Sequence, residues 1–233
     1  GNSIVVSSRI SGALDQRDSP FVPTEGWFSS ASVEWVRTLE TDTQDDTDPF
    51  FSHFFKLTGT LNGYVPIGEV VLAGQVRAGG VVHIEDGSRT DPNRQFFLGG
   101  NDTMRGFNQD QLQPQDLAEF QLENPEARTG TVLQGGDFFY LVRAEVRFPI
   151  FESLQGALFA DFGNHGSDPG SIGAACPAGL SAEECLFFRP TAGLGLRLAT
   201  PVGPLALDYG FNVLRRESLN EPFGAFHFSI GVF

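Results

Sequence analysis

Alternation of apolar and polar residues with period two runs through most of the chain, the signature of strands with one greasy and one wet face. In DFFYLVRAEVRF, Phe138, Tyr140, Val142, Ala144, Val146 and Phe148 share one face, while Arg143, Glu145 and Arg147 share the other. The same pattern sets Phe55, Leu57, Leu61 and Val65 against Lys56, Thr58, Thr60 and Asn62. It sets Leu72, Val76, Val82 and Ile84 against Gln75, Arg77 and His83. Toward the end, Leu194, Leu196 and Leu198 oppose Thr191 and Arg197. Leu205, Leu207, Tyr209 and Phe211 then oppose Asp208, and Phe226, Phe228, Ile230 and Val232 oppose His227 and Ser229. The spacing predicts nine strands, over residues 3–13, 27–39, 51–63, 70–84, 137–148, 154–163, 190–199, 204–213 and 224–233. The first alternates least cleanly, through VVSSRISGAL. Neither a helix nor a second domain is expected, and the prolines are expected in turns and loops, since proline cannot donate to a strand ladder.

A soluble sandwich hides its apolar faces in a core, but here the pattern recurs in too many strands for one compact core. Strands of this length, apolar outside and charged inside, mark a transmembrane β-barrel, an all-β antiparallel fold that leaves no backbone group unpaired in lipid. The connections agree, because short and long ones alternate. PFVPTEG, YVPIGE, PIFES and ATPVGP are short; the acidic ETDTQDDTDP, the stretch 85–136, the cysteine-containing 164–187 and VLRRESLNEP are long. Short turns on one rim and long loops on the other match the periplasmic and external sides of an outer-membrane barrel. Nine strands left open would expose two edges to lipid. The chain is therefore expected to be the C-terminal part of a larger barrel, or to close with another chain.

Composition removes other classes. A net charge of −14 argues against nucleic acid, which requires a basic face. No apolar run reaches the length of a transmembrane helix. The first residues lack the basic-then-apolar order of a secretory signal, as expected of a processed chain or a piece of a longer one. Cys176 and Cys185, too few for a metal site, would be thiols in cytosol and a loop disulfide in an oxidising compartment. In an external loop facing the periplasmic redox environment, a Cys176–Cys185 bond is the expectation.

FFLGGNDTMRGF (96–107) raises the question of chemistry. It lacks the lysine and the following helix of a phosphate loop. DTQDDTDPFFSH carries Thr47 and His53 where a calcium loop needs Gly and Glu. HFSIG near the end is not a nucleophile elbow, because His227 replaces the first Gly and the Ser lies in a strand. His53, His83, His165 and His227 show no paired metal spacing. No catalytic residue, cofactor or metal is expected.

Five phrases in order settle on a different reading: FFLGGNDTMRGF, GGDFFYLVRAEVRFPIF, LFADFG, TPVGPLALDYG and FHFSIGVF. Together they resemble the C-terminal barrel half of the BamA/TamA superfamily, from PTEG at 23 to Phe233. The resemblance implies a sixteen-stranded barrel, of which these are the last nine strands, preceded by periplasmic POTRA domains. It implies that the long external loop folds into the lumen. There Arg105, Gly106 and Phe107 form the loop's RGF motif, with the arginine held by Glu145 and Asp161, so that its loss would leave both acids unpaired. It implies a lateral seam at the terminal strand, at Gly224, Phe226, Phe228, Gly231 and Phe233, where an unfolded outer-membrane protein pairs as an added strand. The implied partners are the outer-membrane bilayer of a Gram-negative bacterium, unfolded substrates, and accessory lipoproteins or a periplasmic partner. The family also contains two-partner secretion pores and barrel anchors of patatin-like lipases, which remain the alternatives.

Overall fold

The computed structural model describes residues 3–41, 51–124, 126, 134–167, 188–200 and 204–230. Arg128, Cys176, Cys185, Gly231 and Phe233 lie outside the described residues, and the expected disulfide with them. Nine strands form one antiparallel sheet in sequence order. They are β1 (Ser3–Asp15), β2 (Gly26–Thr41), β3 (His53–Ile67), β4 (Val70–His83), β5 (Phe138–Phe151), β6 (Leu154–Gly166), β7 (Arg189–Leu198), β8 (Leu205–Asn212) and β9 (Gly224–Ile230).

The faces sort by parity. On β5, Val142 and Val146 are exposed while Arg143, Glu145 and Arg147 are buried, an inversion of the soluble rule. Exposed apolar side chains continue around the sheet, from Ile10 on β1 through Leu61 on β3, Val76 on β4 and Leu158 on β6 to Leu194 on β7 and Phe226 on β9. A charged interior and an apolar exterior make sense only where the outer solvent is lipid.

Hairpins are tight on one rim. Gly68 and Glu69 alone join β3 to β4, with Gly68 at φ +63°, the left-handed first position that a type II′ turn requires. On the other rim the longest connection, from the end of β4 to the start of β5, turns inward across the sheet. Two differences from the sequence expectations concern this region and the strand ends. The loop contains a helix, α1 (Gln115–Glu123), behind Pro114. Its composition gives little amphipathic signal, yet Gln115, Ala118 and Leu122 fall on one face and are buried. That face is held by polar contacts: Asn164 Nδ2 donates to Gln115 Oε1 at 2.9 Å and Ser167 Oγ to Asp116 Oδ2 at 2.6 Å. Prolines also enter strands, at Pro66, Pro149 and Pro190. All three lie within two residues of a strand end, where a missing ladder donor costs least, and the register slips beside Pro149.

Candidate functional site: the loop tip docked on the inner wall

The tip of the long loop is compact because two glycines reverse it. Gly99 and Gly100 have φ +116° and +102°, and a side chain at Gly99 would come within 2.9 Å of the Gln111 backbone nitrogen. The backbone then closes on itself: Leu112 N donates to Leu98 O at 3.0 Å and Gly100 N to Phe107 O at 3.0 Å. This geometry presents Met104 and Phe107 on one side and Arg105 on the other. Met104, Phe107, Leu98, Leu112 and Phe96 pack with Phe139 and Leu141, which point inward from the upper half of β5. That apolar cluster wedges the tip against the wall. Full burial of one such side chain contributes about 1.5–3 kcal/mol.

Arg105 is completely buried. Its Nε donates to Asp161 Oδ2 at 2.9 Å and Nη2 to Asp161 Oδ1 at 2.6 Å, a bidentate fork from loop to β6. Nη1 donates to Glu145 Oε2 on β5 at 2.7 Å and lies 3.5 Å from Asp208 Oδ2 on β8. The Arg105 backbone nitrogen adds a bond to Asp161 Oδ2 at 3.1 Å. Beneath the guanidinium, the Phe159 ring from β6 lies 3.5 Å from Cζ, so the flat cation stacks on an aromatic face. Burial by itself would pull the Arg105 pKa down. Hydrogen bonds and charge from Asp161 and Glu145 outweigh it and hold the pKa above its usual value, so the group stays a cation.

The site is wider than one arginine and two acids. Arg147 Nε donates to Glu145 Oε1 at 2.9 Å, and Arg197 Nη2 donates to Glu145 Oε2 at 2.9 Å. Arg197 also grips Asp208, with Nη1 at 2.5 Å from Oδ1. Arg143 Nε stands 3.4 Å from Asp161 Oδ1 and its Nη2 donates to the Asn101 carbonyl at 3.0 Å. The expectation that removing Arg105 strands both acids therefore fails for Glu145, which two other arginines reach. Asp161 loses more, since its bonds from Arg105 leave only the longer contacts from Arg143 Nε at 3.4 Å and Thr191 Oγ1 at 3.5 Å among the described residues.

Close approach is built into the wall. A Cβ on Gly106 would meet Thr191 Cγ2 at 2.5 Å and the Phe211 carbonyl at 3.0 Å, and one on Gly210 would overlap the Arg105 carbonyl oxygen. The tip thus lies flat on β7 and β8. Of the terminal-strand residues, Gly224 packs tightly on the Gly210 carbonyl, and Phe226 and Phe228 are exposed on the outer face. They take no part in the loop contact.

Sequence parity places Asp208 and Arg197 inside, but that Asp208 reaches Arg105 and Arg197 reaches Glu145 depends on how β5 to β8 stand in register, which parity does not encode. Phe159 carries a signal: an aromatic at an inward position of FADFG, where the next inward position is Asp161. Phe139 and Leu141 had one too, as apolar residues at positions that elsewhere carry arginine and glutamate.

Comparison with known proteins agrees with this architecture. The sequence profile of the Omp85 superfamily domain matches residues 1–233. The chain is 26% identical over 179 residues to Outer envelope protein 80, chloroplastic, of Arabidopsis thaliana, covering 77% of this chain and 20% of that protein. It is 29% identical over 164 residues to Outer membrane protein assembly factor BamA of Nitratidesulfovibrio vulgaris, covering 70% and 18% respectively. The chain thus spans about a fifth of these relatives' length. The crystal structure of BamA from Haemophilus ducreyi lacking POTRA domains 1–3 superposes with a TM-score of 0.67 at 16% identity, over 97% of this chain and 42% of that one. The shared fold is that of the BamA barrel.

Proposed function

The chain belongs to the Omp85 superfamily, and from that premise we propose that it is the C-terminal part of an outer-membrane barrel that folds other β-barrel proteins into the bilayer. POTRA domains would precede it and further strands would close the sheet. The location is the outer membrane of a Gram-negative bacterium, and the partners are unfolded outer-membrane proteins, with accessory lipoproteins or a periplasmic protein assisting. The observation that carries this reading is the loop tip locked into the interior through Arg105, Gly106 and Phe107 on Glu145 and Asp161, within a sheet that faces lipid. A relative named as an assembly factor supports it.

The physical work needs no nucleotide. An unfolded strand in lipid must satisfy its backbone, and an unpaired sheet edge offers donors and acceptors for that. Strand β9 suits this role: it stands last in the nine-strand order and pairs with β8 along one side. Pairing of a substrate strand with such an edge is β-augmentation, followed by zippering of the next hairpin. Gly224 and Gly231, with Phe226, Phe228 and Phe233, would form that seam.

The test is reconstitution of the intact protein in lipid vesicles with a urea-unfolded outer-membrane barrel as substrate. Folding into the vesicles at a rate above that of protein-free vesicles supports the reading. No acceleration, together with export of a soluble polypeptide, would replace it with the secretion pore.

A further inference from the structure

Arg105 reaches two sets of strands at once. Its guanidinium points to carboxylates on β5, β6 and β8, while its backbone carbonyl points the other way, toward β9. His227, on the inward face of β9 and opposite Asp208 in the β8–β9 register, places Nε2 3.0 Å from that carbonyl oxygen. A carbonyl can only accept, so Nε2 carries the proton and donates. The contact exists because Gly210, on the strand between, has no side chain to lift the loop tip off the wall.

We propose that His227 is a positioning residue that ties terminal strand β9 to the docked loop tip, so that loop and strand edge hold or release together. This rests on reading β9 as the seam strand. On its outer side, Phe226 packs on Tyr209 of β8 with ring centroids 4.4 Å apart, which holds β9 to its neighbour alone. On the inner side, His227 gives it a partner that belongs to neither β8 nor the sheet ladder. Withdrawal of the tip from Asp161 and Glu145 removes that partner in the same movement. The seam would then open more readily when the loop is undocked.

Hydrogen exchange on the intact protein in lipid, without substrate, tests the link through the amides of Gly224–Ile230 and Asn101–Phe107. His227→Phe keeps a ring but loses the donor. It should speed exchange in both segments by up to about tenfold, the effect of one neutral hydrogen bond. His227→Gln, which restores an N–H donor, should recover most of the protection in both. Arg105→Lys, which keeps the charge but loses the fork, should speed exchange in β9 although the fork itself goes to Asp161 on β6. Wild-type exchange in either segment of His227→Phe, or no recovery in His227→Gln, overturns the proposal. Should His227→Phe not fold, unchanged β9 exchange in Arg105→Lys overturns it instead. Because no substrate is present, a failure of vesicle insertion sinks the assembly reading and leaves this link standing, and the reverse also holds.

Discussion

Arg94 and Arg105 of the long loop both meet carboxylates on the inner wall, and they are not equivalent. Arg105 sits on Asp161 and Glu145, and no side chain of the three is more than 1% exposed. Arg94 sits on Glu34 of β2, which Arg9 of β1 also contacts, but there the arginine side chains are 28% and 60% exposed. Beside the second contact lies a cavity of about 220 Å³, lined by Arg9, Ser32, Glu34, Lys56, Thr58 and Phe96. That is room for several waters. The two contacts share their chemistry and differ in their solvent. Where water and long mobile side chains screen a pair, it contributes about 0–1 kcal/mol; where a buried pair loses one partner, the loss is several-fold larger.

The flanking residues explain why one site is dry. At Arg105, an apolar wedge of Met104, Phe107, Phe139 and Leu141 closes one side, and the Phe159 ring closes the floor. At Arg94, the inner wall of β1 to β3 is lined by small hydroxyls, such as Ser32 with Thr58 Oγ1 at 2.7 Å. Serine and threonine do not exclude water, and the Arg94 Nη2 bond to Ser7 Oγ is long, at 3.4 Å.

The contrast can be broken at four points. Phe107→Ala should have the largest effect, since it opens a cavity in the wedge and lets water reach Arg105; a loss of about 3–5 kcal/mol of unfolding free energy in lipid is expected. Next comes Arg105→Ala, at about 3–4 kcal/mol. The lower part of the buried-pair range applies because Arg147 and Arg197 keep Glu145 paired. Lysine at the same position should recover only part, as it loses the fork to Asp161. Gly210→Ala should cost about 1–3 kcal/mol by overpacking against the Arg105 carbonyl, and it should free the loop tip to proteolysis while the sheet persists. Arg94→Ala should cost about 1 kcal/mol or less, and salt should erase much of it. If Arg94→Ala matched Arg105→Ala in equilibrium unfolding, burial would not be what separates the two contacts.

Much of this is legible in the sequence. The strands are visible in the alternation of residues such as Leu57/Lys56 and Val142/Arg143, least cleanly in β1, because lipid and lumen impose opposite demands on successive positions. The ends were not: β3 runs on to Ile67 and β5 to Phe151, since hairpin ladders continue past the apolar band that the eye follows. Helix α1 was invisible because its buried face is built from Gln115 and Gln121 as well as Ala118 and Leu122. Its stability comes from partners on β6, not from its own periodicity. At the site, Arg105, Glu145 and Asp161 came from the order of motifs. Asp208 and His227 need the folded sheet, which brings residues more than a hundred positions away in sequence to Arg105, and Arg197 joins through Glu145.

The central claim is that Arg105 and Asp161 are a dry, coupled pair that holds the loop in the lumen. A double-mutant cycle of Arg105→Ala and Asp161→Asn, read by reversible unfolding in lipid, measures it directly. A coupling energy of about 1.5–3 kcal/mol is predicted, with the double variant little worse than either single one. Additivity within about 0.5 kcal/mol would contradict the account, because two groups that meet only through water have no such energy to share.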